Sequence, residues 1–187
     1  MSPSGPAPLR CALVGMPGSG KSTVGRHLAR RLDLPFVDLD QRLEERLGCA
    51  IKDFFAQQGE AVFRAHESAL LAELAAQPGP LVLSTGGGAV LAQANRAQLR
   101  AHFSHVVYLR ATPEELFRRL KHDQNRPLLQ VDDPLAKLRE LYRTRDPLYR
   151  DTANYLIETR RPTVKGLVDM VAMQLEMAPA QPPPSNP

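Results

Sequence analysis

Tryptophan is absent from this chain of 187 residues, aromatic residues make up only 5% of it, and there are two cysteines. Two cysteines, Cys11 and Cys49, cannot build a disulfide framework or a thiolate metal cluster. Both read as small buried apolar side chains, and a reducing cytoplasm is the expected compartment. No apolar run approaches the ~20 residues that cross a bilayer, so no membrane-spanning helix and no membrane partner are expected. Met1–Pro8 is small and Pro-rich and lacks the apolar stretch of a signal peptide. There is also no block of one charge sign. The net charge of +4 raises nucleic acid as a partner, but the basic residues are spread along the chain and few aromatics interleave with them, so none is expected. A diffuse basic excess instead suits a pocket for anionic ligands. Arginine far outnumbers lysine, and its planar fork matches phosphate and carboxylate. Most of these arginines must still lie on solvated faces, because no single site uses more than a few.

What is present starts with Gly15-Met16-Pro17-Gly18-Ser19-Gly20-Lys21-Ser22, which fits the phosphate-binding pattern G-x-x-x-x-G-K-[ST]. Leu9–Val14 before it reads as a strand. Val24, Leu28 and Leu32 after it recur at helical spacing. That strand–loop–helix context gives the pattern its meaning. Glycine lets backbone N–H groups close around an anion, and a helix start adds unpaired donors and a partial positive charge. Lys21 reaches the β/γ-phosphates in such a loop, and the Ser22 hydroxyl ligates Mg²⁺.

Further strand candidates are Phe36-Val37, Leu81–Leu83, Val106–Leu109 and Tyr155–Ile157. Helical patterns lie between them. Val62, Phe63, Leu70, Leu71 and Leu74 mark a long helix, and Val164 through Leu175 the last one. Thr112-Pro113-Glu114-Glu115 has the spacing of a capping box with Pro at the first helical position, and Asp133-Pro134 reads as another start. Alternating strands and helices predict an α/β fold with about five parallel strands covered on both faces. One domain is expected over residues 9–177, with a disordered N-terminus over 1–8 and a disordered Pro-rich tail over 178–187. The polar connection His122–Asp132 is long for a compact domain, which fits either a lid over about 121–133 or an ordinary exposed loop.

Ligands of open α/β sheets bind beyond the carboxyl ends of the strands. Asp38-Leu39-Asp40 and Gly86-Gly87-Gly88 fall there with the phosphate loop. In extended chain Asp38 and Asp40 point the same way. One then holds Mg²⁺ and the other accepts a proton from a substrate hydroxyl. Asp40 equally suits the N-cap of a helix over Gln41–Leu47. Three glycines directly after a strand allow close approach of a ligand, or make a flexible turn. Arg64, in a largely apolar helical stretch, and Arg145 read on pattern alone as surface charge. The five histidines show no ligand spacing, and His102 and His105 are expected to face solvent.

Taken together, these segments resemble shikimate kinase. The match runs through the phosphate loop to Thr23, then Asp38-Leu39-Asp40, Phe63-Arg64, Gly86-Gly87-Gly88-Ala89-Val90, Arg126-Pro127-Leu128 and Arg145-Asp146-Pro147-Leu148-Tyr149. It extends from about Leu9 to Glu176. The resemblance implies a P-loop fold of the nucleoside-monophosphate-kinase type with strand order 2-3-1-4-5 and a lid. It implies ATP- and Mg²⁺-dependent phosphorylation of the 3-hydroxyl of shikimate, a step in aromatic amino-acid synthesis, by a monomer. By position it implies that Gly18, Ser19, Gly20, Lys21, Ser22 and Thr23 hold the ATP phosphates, with Ser22 and Asp38 on the metal side. It makes Asp40 the contact to the shikimate hydroxyls and the base. Arg64 and Arg145 bind the shikimate carboxylate, and Gly86, Gly87 and Gly88 form the backbone loop beside the substrate. Arg126 is the lid arginine and Arg119 an adenine-side arginine. A second adenine contact comes from Thr159-Arg160-Arg161-Pro162, with Arg160 and Arg161 both candidates. Competing readings are another small-molecule kinase of the gluconate kinase type, a kinase-like module that senses a ligand without turnover, and a nucleic-acid-binding ATPase. Lys21, Asp40 and Arg126 together argue against a dead site.

Overall fold

The structure, a computed structural model, describes residues 7–121, 130–160 and 163–177. Five strands form one parallel sheet: β1 (Arg10–Val14), β2 (Phe36–Asp38), β3 (Leu81–Ser84), β4 (His105–Arg110) and β5 (Tyr155–Glu158). Their order is β2-β3-β1-β4-β5, the order the resemblance implies. The register pairs Ala12 with Leu83 on one side and with Val106 on the other. β1 is therefore the central strand, and all five of its residues are buried.

Alternation along the strands divides the apolar core between the two faces. Ala12, Val14, Leu83 and Tyr108 pack with Leu43, Phe63, Leu99 and Leu138. Cys11, Leu13, Val82 and Val107 pack with Val24, Leu28, Val168 and Val171. The first face is covered by α2 (Leu39–Leu47), α4 (Glu60–Ala76), α5 (Gln93–His102), α6 (Pro113–Leu120) and α7 (Pro134–Thr152), the second by α1 (Lys21–Leu32) and α8 (Val164–Met177). A short α3 (Ile51–Gln58) lays Phe54 and Phe55 against Phe63 of α4.

The helix starts legible in the sequence form as expected. Thr112 and Glu115 close a capping box ahead of α6. Asp133 caps α7 by accepting from Ala136 N at 3.0 Å, with Pro134 in the first turn. One expectation fails at the start of β4. His102 is exposed, but His105 is only 2% exposed, its ring stacked on Tyr155 with centroids 5.8 Å apart and its Nδ1 2.9 Å from Ser104 Oγ. A neighbouring hydroxyl and a flat aromatic partner make a buried site that hydropathy does not reveal. Cys11 is buried as expected, whereas Cys49 is only half-buried. The 121–133 connection and both termini fall largely outside the described residues. Among those described, no helix is long and apolar enough to cross a membrane.

At the amino-terminal edge of the sheet Arg10 ties four carbonyls together. Its guanidinium donates to Leu74 O at 2.8 Å, Gln77 O at 2.6 Å, Gly79 O at 2.9 Å and His102 O at 2.9 Å, and it stacks over Phe103. Arg10→Ala leaves these carbonyls without that donor. The expected loss is about 3 kcal/mol, which lowers the melting temperature by roughly 6–12 °C. Turnover at low temperature should not change, because Arg10 lies at the end of the sheet opposite the site; a melting curve and an assay on one preparation check both.

Candidate active site

The phosphate loop leaves β1 and enters α1 through Gly20, whose φ of 97° places it in the left-handed region. No side chain caps this helix start, so its first N–H groups are left for an anion. Lys21 is only 7% exposed, and its Nζ donates to Gly15 O at 2.9 Å and Met16 O at 3.0 Å. The ammonium is thereby held at the mouth of the loop by the loop's own backbone.

Ser22, in the first turn of α1, donates to Asp38 Oδ2 and lies 3.3 Å from Ser84 Oγ. Asp38 ends β2, and its other oxygen, Oδ1, accepts from Gln41 N at 3.1 Å. Asp38, not Asp40, is therefore the N-cap of α2, which begins two residues earlier than the Gln41–Leu47 pattern indicates. Asp40 sits in the first helical turn, so the alternation of an extended chain does not aim it. The helix turn does, and it brings the Asp40 carboxylate to the glycine triplet. A β-carbon on Gly86 would stand 2.7 Å from Asp40 Oδ1 and 2.8 Å from Glu67 Oε2. A β-carbon on Gly87 would stand 2.8 Å from Pro17 of the phosphate loop, and one on Gly88 would collide with the Arg64 guanidinium. The triplet is packed on by Asp40 and Glu67, by Pro17 and by Arg64, so it is no loose turn, and the close approach seen is that of the protein's own groups.

Arg64 is not a solvated charge. It donates to Glu67 Oε1 at 2.8 Å, one turn along α4, and to Glu60. Burial works against its charge, but Glu67 and Glu60 hold its pKa above the ordinary value. Glu67 is 1% exposed, and its Oε2 has no hydrogen bond among the described residues. Burial pushes the Glu67 carboxyl above its usual range; Arg64 and Arg145 pull against this, and Asp40 adds to it. Arg145 lies within α7 and is 3% exposed, again no surface charge. Asp40 and Glu67 thus face Gly86 and Arg64 faces Gly88, with Arg145 near enough to Glu67 to act on its charge, while Pro17 of the phosphate loop lies against Gly87. Two arginines next to a carboxylate can hold a small polyhydroxy acid there by paired charge-assisted bonds.

Away from this cluster, Arg119 donates to Thr159 O at 2.9 Å and to Gly18 O at 3.3 Å, which joins α6 and the end of β5 to the phosphate loop. Arg160 is exposed and 4.0 Å from Glu115. Arg126 and Arg161 lie outside the described residues.

A family model for shikimate kinase matches residues 17–176. The shikimate kinase of Paracidovorax citrulli (strain AAC00-1) is 56% identical over 173 residues, 91% of this chain and 94% of that one. The chain belongs to the shikimate kinase family. The shikimate kinase of Burkholderia pseudomallei (strain 1710b) is 56% identical over 165 residues, 88% of this chain and 89% of that one. A solved structure of the shikimate kinase from Acinetobacter baumannii, in complex with shikimate, superposes with a TM-score of 0.86 at 41% identity, covering 90% of this chain and 93% of that one. The chain is accordingly a phosphotransferase with an alcohol acceptor, on the P-loop nucleoside-monophosphate-kinase-like fold.

Two residues of the site escape sequence reasoning, Glu67 and Ser84. Glu67 left a signal. It falls on the same helical stripe as Phe63, Leu70, Leu71 and Leu74, where a carboxylate is out of place unless it has a partner. Arg64 three residues earlier is that partner. Ser84 carried none, since its partner comes from another element, and Tyr149 entered only as the end of the matched Arg145–Tyr149 segment, its contact with Gly87 not foreseen.

Proposed function

We propose that the family's reaction, transfer of the γ-phosphoryl group of ATP to the 3-hydroxyl of shikimate, is carried in this chain by the residues gathered around the glycine loop. Lys21 and the amide groups at the start of α1 take the β- and γ-phosphates, with Gly18, Ser19, Gly20 and Thr23 completing the cradle. Arg64 and Arg145 hold the acceptor's carboxylate. Gly86–Gly88 face its ring. Asp40 accepts from the reacting hydroxyl and takes its proton as the new O–P bond forms and the bond from the γ-phosphorus to the bridging oxygen breaks. Phosphoryl transfer asks mainly for positioning and charge neutralisation, which these groups supply. Arg119, and Arg160 or Arg161, belong to the adenine side, and Arg126 to the lid, by resemblance alone.

Ser22 and Asp38 present a hydroxyl and a carboxylate oxygen in mutual contact, with the Ser84 hydroxyl beside them. This hard-oxygen set fits Mg²⁺, which keeps most of its waters and needs few protein ligands. Ser22 and Asp38 would hold the ion, which when bound neutralises charge on the phosphates. Activity as a cytoplasmic monomer belongs to the same proposal; two unpaired cysteines suit a reducing compartment.

The observation that carries this reading is the placement of Asp40 and Arg64 against a glycine loop that also touches the phosphate loop, with the buried Arg145 acting on the same Glu67 carboxylate. Its test is ATP-dependent phosphate transfer to shikimate, with gluconate and no acceptor as controls. Arg64→Ala and Arg145→Ala should each weaken shikimate binding by about 10- to 100-fold and ATP binding little, the loss of one charge-assisted partner. The double variant should lose less than the sum, because both arginines hold one carboxylate. Equal losses for ATP and shikimate would remove the pair from the acceptor site.

A further inference from the structure

Three consecutive glycines impose no backbone conformation of their own. What orients Gly86–Gly88 must come from outside the triplet, and the fate of its three carbonyls shows what does. Gly86 O accepts from Ala89 N at 3.1 Å, and Gly88 O accepts from Leu91 N at 3.1 Å, both local turns. Gly87 O accepts from the hydroxyl of Tyr149. That bond spans 62 residues of sequence and comes from α7, the helix that carries Arg145.

Tyr149 is fully buried, and its ring packs on Tyr108 with centroids 4.9 Å apart. Ring packing accounts for a large aromatic side chain at this position. It does not account for the hydroxyl, which phenylalanine would lack while filling the same space. Arg145 lies one turn before Tyr149 on the same face of α7, close enough to influence the phenol electrostatically. Burial pushes the phenol's pKa above its ordinary value, against the pull of Arg145, so it stays a neutral O–H donor at physiological pH. The next residue along the helix from Arg145, Asp146, fastens α7 to the sheet by accepting from Tyr108 Oη at 2.7 Å, and it also accepts from Arg150 Nε at 2.9 Å.

We propose that Tyr149 is a positioning residue for the acceptor: its hydroxyl fixes the Gly87–Gly88 peptide relative to Arg145, so that glycine loop and carboxylate-binding arginine are held as one unit. A trans peptide is rigid, so holding the Gly87 carbonyl also aims the Gly88 N–H away from Tyr149. This inference rests on the proposed roles of Arg145 and the glycine loop in binding shikimate.

Steady-state kinetics of Tyr149→Phe, beside Arg145→Ala, test it. In Tyr149→Phe the KM for shikimate should rise about five- to tenfold, the effect of losing one hydrogen bond, while the KM for ATP stays within twofold and kcat within threefold. A lowered melting temperature with both KM values unchanged means a merely structural hydroxyl and overturns the proposal. An equal rise in both KM values also overturns it, since the effect then runs through Pro17 and the phosphate loop. If Arg145→Ala binds shikimate normally, the acceptor assignment itself fails and this proposal with it. If Arg145→Ala loses shikimate and Tyr149→Phe does not, only this proposal fails. Replacement of Tyr149 by p-aminophenylalanine gives a second measurement should the phenylalanine variant be unstable. It keeps an N–H donor at the ring tip, so its shikimate KM should stay within threefold of the parent; a tenfold rise despite that donor overturns the proposal.

Discussion

Lys21→Ala should fold and lose essentially all turnover. The ammonium is buried and held by the loop's own carbonyls, and removing one preorganised charge-stabilising group typically costs about 10²–10³-fold in rate or more. The structure adds a secondary effect. Lys21 also donates to Gly15 O and Met16 O, so the variant should melt a few degrees lower as those carbonyls lose a donor. Lys21→Arg restores charge but not shape: a planar fork does not fit where an ammonium reaches two adjacent carbonyls. It should therefore recover the melting temperature better than the rate. A folded Lys21→Ala protein with near-parental turnover would sink the phosphate-loop assignment.

Asp40→Asn should separate activity from stability in the opposite sense. Asp38 caps α2, so the substitution removes no cap. Asp40 does contribute a favourable negative charge in the first turn of α2, typically worth 0.3–1 kcal/mol. Against that, its charge faces the buried Glu67 carboxylate across Gly86 and adds to the upward push on the Glu67 pKa. The two effects oppose one another, and the melting temperature should stay within about 2 °C of the parent or rise. Turnover should fall by roughly 10²–10⁴ if the carboxylate acts as base. Turnover close to the parent's would show that shikimate's hydroxyl needs no side-chain base, which a loose transition state permits.

The strand–helix frame was legible because apolar runs and helical spacing are local signals. Each strand was found to within two residues at either end, and Thr112 and Asp133 marked helix starts because a cap is written into four consecutive residues. The strand order came from the family resemblance, since no local pattern says which strands are neighbours. The interior of the site was less legible. Arg64 and Arg145 read as surface charge because their burial depends on Glu67, Glu60 and the packing of α7. Whether Asp38 or Asp40 caps α2 turned on where β2 ends, which two nearby carboxylates leave ambiguous. His105 looked solvated because what buries it, the ring of Tyr155, comes from another strand.

The division of the core between the two faces of the sheet bears on how acceptor preference can change. Lys21 and Ser22, proposed for the nucleotide side, ride on α1, which packs on one face with α8. Asp40, Arg64, Glu67 and Arg145 ride on α2, α4 and α7, which pack on the other. The central strands lie between them and touch both through alternate residues. Repacking of α4 or α7 can therefore re-shape the proposed acceptor side with little effect on Lys21 and Ser22, whereas α2 is tied to Ser22 through its cap, Asp38. Substitutions on opposite faces, far apart and without shared neighbours, should combine additively in their effects. The sheet acts as a bulkhead with two openings, where Ser22 meets Asp38 and where Pro17 meets Gly87, and a redesign that spares those seams can rebuild one compartment for a different polyol.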